Sequence, residues 1–277
     1  MTLTEAIRLV WEIPTLPRID VRMWGDSVAR ELFSYFVRPH PRLRLVESKR
    51  LGAAMVPLPD TFEEYLQGGQ MQALRTNRDH AIDFGYHVGV FLFAECFEQA
   101  LEINLSMGKR GGRPMAAHYT NRSLFAETMR PDARIFGLLD KGGALAAYAY
   151  APICGEVAVL HYLLGHADHL ARGVMYLLVS EVIREVIALK RQGGMPGWLM
   201  YDTFYGASAG LQYFKRRLGF SPYIVRWKWD DNPDASMIPS CPVADGTMLA
   251  APPSSERSGT LGTLGNPPTS FDDVEVR

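Results

Sequence analysis

The chain has 277 residues, 47% hydrophobic and 21% charged, and its 29 Lys and Arg against 30 Asp and Glu leave a net charge of −1. It is long enough to bury a full core in one large domain or two small ones, and no overall field marks it for a polyanion partner. The isolated cysteines Cys96, Cys154 and Cys241 form no C-x-x-C pair, so neither a disulfide framework nor a thiolate zinc site is signalled, and a reducing, cytoplasmic setting is expected.

The N-terminus carries Glu5 and no charged region ahead of an apolar run, so it does not read as a signal peptide. Residues 1–41, with Trp11, Trp24, Phe33, Tyr35 and Phe36, read as an extension packed on the domain that follows. Arg42–Val46 and Leu51–Val56 read as strands joined by the polar turn Glu47–Arg50. Asp60 with Glu63 suggests a capping box for a short helix over Thr61–Leu66. A longer helix is expected over Gln70–Phe84, stopping at Gly85.

Tyr86–Phe93 reads as a strand and Cys96–Ser106 as a helix leading to a basic loop, with a short helix over Ser123–Met129. A hairpin of Arg134–Leu139 and Ala144–Ala151 turns at Lys141-Gly142-Gly143. The longest apolar stretch, Ala144–Gly165, is broken by Pro152, Gly155, Glu156 and His161, which reads as a buried hairpin rather than a membrane span.

The segment from Glu156 to Trp229 is the most informative. A strand over Glu156–Leu164 runs into a short polar loop. A helix over Val174–Lys190 follows, with Met175, Leu178, Val179, Val182, Ile183, Val186 and Ile187 at helical spacing. A loop feeding a helix N-terminus presents amide N–H groups and a positive dipole end, which suits an anion. Trp198–Thr203 reads as a strand, Ala209–Arg217 as a helix and Tyr223–Trp229 as a strand. Residues 231–277, rich in Pro, Gly, Ser and Thr without periodicity, read as a disordered tail. Mixed strands and helices in this order predict an α+β or α/β sheet with helices on both faces.

Leu163-Leu164-Gly165, Ala171-Arg172-Gly173-Val174 and Gly210-Leu211-Gln212-Tyr213-Phe214-Lys215 through Leu218-Gly219-Phe220 resemble the GNAT acyltransferase superfamily. Upstream, Phe62-Glu63-Glu64-Tyr65-Leu66, Arg75-Thr76-Asn77-Arg78, Ser106, Arg110, Gly112-Arg113-Pro114 and Tyr119 resemble its FemAB-like branch. The likeness spans roughly residues 55–230. It implies a GNAT-like mixed, mostly antiparallel sheet over a domain of residues 42–230. It also implies acyl transfer from acyl-CoA, such as acetyl-CoA, to a small-molecule or glycan amine or hydroxyl. Of the usual Arg/Gln-x-x-Gly-x-Gly/Ala loop only Arg172-Gly173 is present, and Lys215 stands where many such enzymes carry a tyrosine. The FemAB-like branch implies an aminoacyl-tRNA donor instead, against which the neutral net charge counts. A GNAT-like fold that only binds a ligand or partner is the third reading.

The resemblance nominates Leu163, Leu164, Gly165, Arg172, Gly173 and Val174 for the acyl-CoA donor. Against that stands an ordinary strand-to-helix connection. His161 is a candidate general base, since an imidazole titrates near neutral pH; the alternative is a hydrogen-bonded core histidine. At the end of the next strand, Asp202 is a candidate to orient an imidazole or the acceptor, and Tyr205 to protonate a leaving thiolate. Their alternatives are a helix cap and a packing ring. Arg110, Arg113 and Tyr119 suit an acceptor phosphate or carboxylate, or else form a solvated turn. Arg75, Arg78, Lys215, Arg216 and Arg217 read as helix faces in water. His161, His166, His169 and Asp168 lack the helical register of a metal site, so no metal is expected. Nothing in the sequence sets the oligomeric state.

Overall fold

The computed structural model describes residues 12–40, 44–110, 113–205 and 207–233. The strands are β1 (Arg18–Met23), β2 (Leu51–Pro57), β3 (His87–Leu92), β4 (Lys109–Arg110), β5 (Arg113–Pro114), β6 (Arg134–Leu139), β7 (Leu145–Tyr150), β8 (Ile153–Cys154), β9 (Val157–Val159), β10 (Tyr162–Gly165), β11 (Trp198–Thr203) and β12 (Ser221–Trp229). The helices are α1 (Ser27–Val37), α2 (Phe62–Tyr65), α3 (Gln72–Asp83), α4 (Phe93–Leu105), α5 (Ala117–Thr120), α6 (Arg122–Glu127), α7 (Val174–Gly193) and α8 (Ala209–Arg217).

One sheet runs β1-β12-β2-β11-β9-β8 and a second runs β10-β7-β6-β3. Only β1 with β12 and β9 with β11 pair in parallel; the other pairs among the described strands are antiparallel. Helices cover both faces. Along β2, Ala54 and Val56 face the core under α7, while Ala53 and Met55 face the core under α1, the period-two alternation of a sheet buried on both sides. Helix α7 sets Leu178, Val179, Val182, Ile183, Val186 and Ile187 into that first core. A third core lies under α4 and α6, where Phe93, Ile103, Phe125, Tyr148 and Tyr162 meet.

Several local expectations needed correction. Residues 44–46 of the expected strand Arg42–Val46 form turns and bends, and only an isolated bridge joins Pro39 to Glu47. Helix α2 is capped one residue later than expected: the Thr61 hydroxyl accepts from the Glu64 amide at 3.2 Å, while the Glu64 carboxylate accepts from the Asp60 amide. Asp60 is committed elsewhere, its carboxylate accepting from Lys190 at 2.8 Å. Strand β1 and helix α1 come from a stretch with no legible period. Asp26 caps α1 by accepting from the Ala29 amide. The expected disordered tail lies, from residue 234 on, outside the described residues. No helix among the described residues is long and apolar enough to cross a membrane.

Candidate active site

The expected single strand Glu156–Leu164 is two strands in two sheets, and this break creates the site. Val157, Ala158 and Val159 pair in parallel with Trp198, Leu199 and Met200. The Leu160 amide makes the last bond to that partner, donating to the Met200 carbonyl at 2.8 Å. The next amide, that of His161, donates instead to the Tyr150 carbonyl at 2.9 Å, and β10 continues as a partner of β7. Beyond this point β11 stays with β2, so β10 and β11 diverge. A cleft of about 290 Å³ opens between them, lined by Arg110, Leu163, Leu170, Met175, Tyr176, Tyr201, Leu211 and Phe214. Two parallel strands thus pair at one end and part at the other around this cleft.

The fold is a mixed, mostly antiparallel α/β arrangement with helices on both faces.

His161 sits at the apex of this cleft, between β9 and β10, and not inside a strand. It precedes Leu163 by two residues, the spacing that places both on one face of an extended chain. Its ring contacts Tyr162, with centroids 4.6 Å apart, and Tyr150. Burial pulls its pKa down to about 4, against the opposing pull of the Asp202 charge. The imidazole is therefore neutral at physiological pH.

On the facing arm, Asp202 is the one non-glycine among the described residues with positive φ, at 50°. Asp is among the few side chains that tolerate that conformation. It lies at the register shift between Met200 and Thr203 in the β11–β2 ladder. The carboxylate receives Lys49 Nζ at 2.5 Å. Its side chain remains 41% exposed, whereas that of Lys49 is 9% exposed, so the carboxylate is walled by protein on most sides yet open at one. Burial alone would raise the Asp202 pKa; the Lys49 and Lys215 charges outweigh it and hold the carboxyl below the usual range.

Lys215 corrects the expectation of a solvated helix face, since it is 0% exposed. Its ammonium donates to the Thr203 carbonyl at 2.7 Å and lies 4.5 Å from the centre of the Tyr201 ring. Burial, only partly offset by Asp202, brings its pKa down to about 8. Arg78 departs from the same expectation, with a side chain 16% exposed and paired to Glu181. Neither Lys49 nor Tyr201 was a sequence candidate. For Lys215 a signal existed: it falls four residues after Leu211 and three before Leu218, on the inward stripe of α8. Lys49 offered none, because it reaches Asp202 across 153 positions of sequence.

The loop into α7 is built differently from a simple phosphate cradle. Residues Ala167–Arg172 form a 3₁₀ turn capped by His166, and the Ala167 amide is taken by the Ser106 hydroxyl at 3.0 Å. The Arg172 guanidinium donates to the Tyr86 hydroxyl at 3.0 Å and lies over the Phe84 ring; it does not line the cleft. The Tyr86 hydroxyl also bonds His169 Nδ1 at 2.6 Å. Gly173 has φ +75°, and a Cβ there would sit 2.2 Å from the Asn77 carbonyl oxygen of α3. Close helix approach is thus a sufficient reason for this glycine. Leu164 and Val174 face cores rather than the cleft.

Of the other candidates, Arg110 enters the cleft wall and donates to the Gly165 carbonyl at 2.7 Å. The Tyr119 ring meets Tyr162, and burial raises its hydroxyl pKa. The Arg113 backbone pairs with Arg110 in the β4–β5 ribbon. The Tyr205 ring lies over Gly52, where a Cβ would come within 2.3 Å of it, and is not among the residues that line the cleft. Among the described residues no three His, Cys, Asp or Glu side chains are grouped to hold a metal ion.

No protein-family model matches the chain, and no curated protein sequence matches it. Among solved structures it is similar to L-PGS from Bacillus licheniformis, at 14% identity over 63% of this chain and 58% of that one, with a TM-score of 0.43. It is similar to a GCN5-related N-acetyltransferase from Kribbella flavida at 17% identity, over 66% and 60% of the two chains, with a TM-score of 0.37. A tandem GNAT protein from the clavulanic acid biosynthesis pathway gives 14% identity over 62% and 50%, with a TM-score of 0.35. The chain spans less than two thirds of the length of each.

Proposed function

We propose that this protein is an acyltransferase that holds the acyl arm of an acyl-CoA in the cleft between β10 and β11 and delivers it to an amine or hydroxyl acceptor at the apex. The observation that carries this reading is the parting of the two strands at Leu160 and His161, which sets a mostly apolar slot beside a cluster of titratable groups. Leu163, Leu170, Met175, Leu211 and Phe214 give the thioester arm an apolar wall. Neutral His161 takes the proton of the acceptor as its nitrogen or oxygen bonds to the carbonyl carbon. The C–S bond breaks and the thiol leaves as its thiolate, with no covalent enzyme intermediate. Asp202, held ionised by Lys49 and Lys215, stabilises the imidazolium that results.

An acyl-CoA that binds the folded protein alone must raise its unfolding temperature. At a concentration of about 100 times Kd the gain is about 2.7 kcal/mol, a shift of several degrees by differential scanning fluorimetry. Octanoyl-CoA and acetyl-CoA are the probes, with ADP as the control. Equal shifts with ADP, or none with either thioester, would remove the acyl-CoA donor from the reading.

A further inference from the structure

We infer that Arg110 is the oxyanion receptor of the cleft, so that the ligand occupying it is an apolar arm carrying one carboxylate or phosphate. Arg110 is the one charged residue among the eight that line the cleft. Its guanidinium is half-buried and makes a single hydrogen bond among the described residues, from Nη2 to the Gly165 carbonyl at 2.7 Å. No carboxylate of the described residues pairs with it. Its Nε is buried without a partner. A guanidinium stays charged, and one that lines a cleft without a carboxylate partner is best satisfied by a planar carboxylate or a phosphate.

The surroundings fit that ligand. Tyr119, Tyr148 and Tyr201 stand close enough to feel the charge of Arg110. The Tyr148 hydroxyl is already spent on Asn104, and Tyr201 shares the cleft wall with Arg110. The remaining walls are Leu163, Leu170, Met175, Leu211 and Phe214 together with the Tyr176 ring. At about 30 Å³ for a water molecule, 290 Å³ holds the equivalent of ten, the scale of a medium-chain carboxylate. Arg172, nominated from the resemblance for the acyl-CoA donor, is engaged by Tyr86 outside the cleft wall.

This inference concerns the same cleft as the acyl-donor reading, and its test separates the two. Two matched pairs are titrated calorimetrically into the full chain: octanoate with octanamide, and 4′-phosphopantetheine with pantetheine. The charged member of at least one pair should bind about tenfold tighter or better, with the preference abolished in Arg110→Gln and partly kept in Arg110→Lys. Preference within the octanoate pair alone identifies a carboxylate-bearing ligand and survives failure of the acyl-CoA reading. Preference within the pantetheine pair alone places the donor phosphate at Arg110. No preference in the wild-type protein, no binding of any probe, or a preference unchanged in a folded Arg110→Gln variant would overturn it. The wild-type comparison stands even where a variant does not fold.

Discussion

Asp202→Ala should destabilise the protein by about 3 kcal/mol at neutral pH and lower acyl transfer about a hundredfold. The carboxylate is the counter-charge for two ammonium groups, Lys49 with a side chain 9% exposed and Lys215 at 0%. Removing one partner of such a set strands buried charge, which costs more than the pair contributes. Alanine also loses the tolerance of Asp for φ 50°. Asp202→Asn keeps that tolerance, so the difference between the two variants separates backbone from charge. Lys215 supplies the pH dependence. Its folded pKa, about 8, lies below its ordinary 10.5. Between those values the unfolded chain binds more protons, so wild-type stability rises with pH across that window. Below about pH 8 the folded state bears the full cost of the buried charge, about 3 kcal/mol at about 1.4 kcal/mol per pH unit. In Asp202→Asn the rise should begin at lower pH, because the charge that raises the Lys215 pKa is gone. Urea unfolding from pH 6 to 10.5 measures both effects; a flat wild-type profile would contradict this description of the cluster.

His161→Ala should lower kcat/KM about a hundredfold or more. The more discriminating result is the pH profile. An ordinary histidine base loses activity as pH falls through its usual 6.5, but here burial brings the pKa down to about 4. Activity should therefore hold from pH 7 to pH 5 and fall only near pH 4. A limb between pH 6 and 7, absent in His161→Ala, would mean that the imidazole is far better solvated than its place at the apex implies. Asp202→Asn should move the lower limb to still more acidic pH, since the Asp202 charge is what raises the His161 pKa.

Legibility from sequence followed the range of the interactions involved. The β6–β7 hairpin, β11 and α8 fall where expected, because a glycine turn, an apolar run and a helical stripe are written in neighbouring residues. Helix α7 was legible for the same reason. The break at Leu160 and His161 was not, since whether an apolar strand stays with one partner or changes sheets depends on Met200 and Tyr150, which are remote in sequence from one another. The same holds for the site. His161 and Asp202 stand out as polar residues in apolar strands, and the structure places both at the apex, close enough that the Asp202 charge acts on the His161 ring. Lys49 completes the cluster from a turn that reads as ordinary polar surface, held in place by Trp227, whose Nε1 donates to its carbonyl at 3.0 Å. The loop into α7 misleads in the opposite direction: Arg172 and Gly173 carry the motif, yet Arg172 bonds Tyr86 and Gly173 makes room for α3.

The central claim, that the cleft between β10 and β11 receives the acyl donor, is tested most directly by calorimetric titration of octanoyl-CoA into the wild-type protein and into Leu211→Trp. Leu211 lines the cleft from the first turn of α8, so an indole there fills the slot from its wall. Saturable binding to the wild type, lost in a Leu211→Trp variant of unchanged unfolding temperature, is the expected result. Equal affinity in both proteins, or no binding to either, would contradict it.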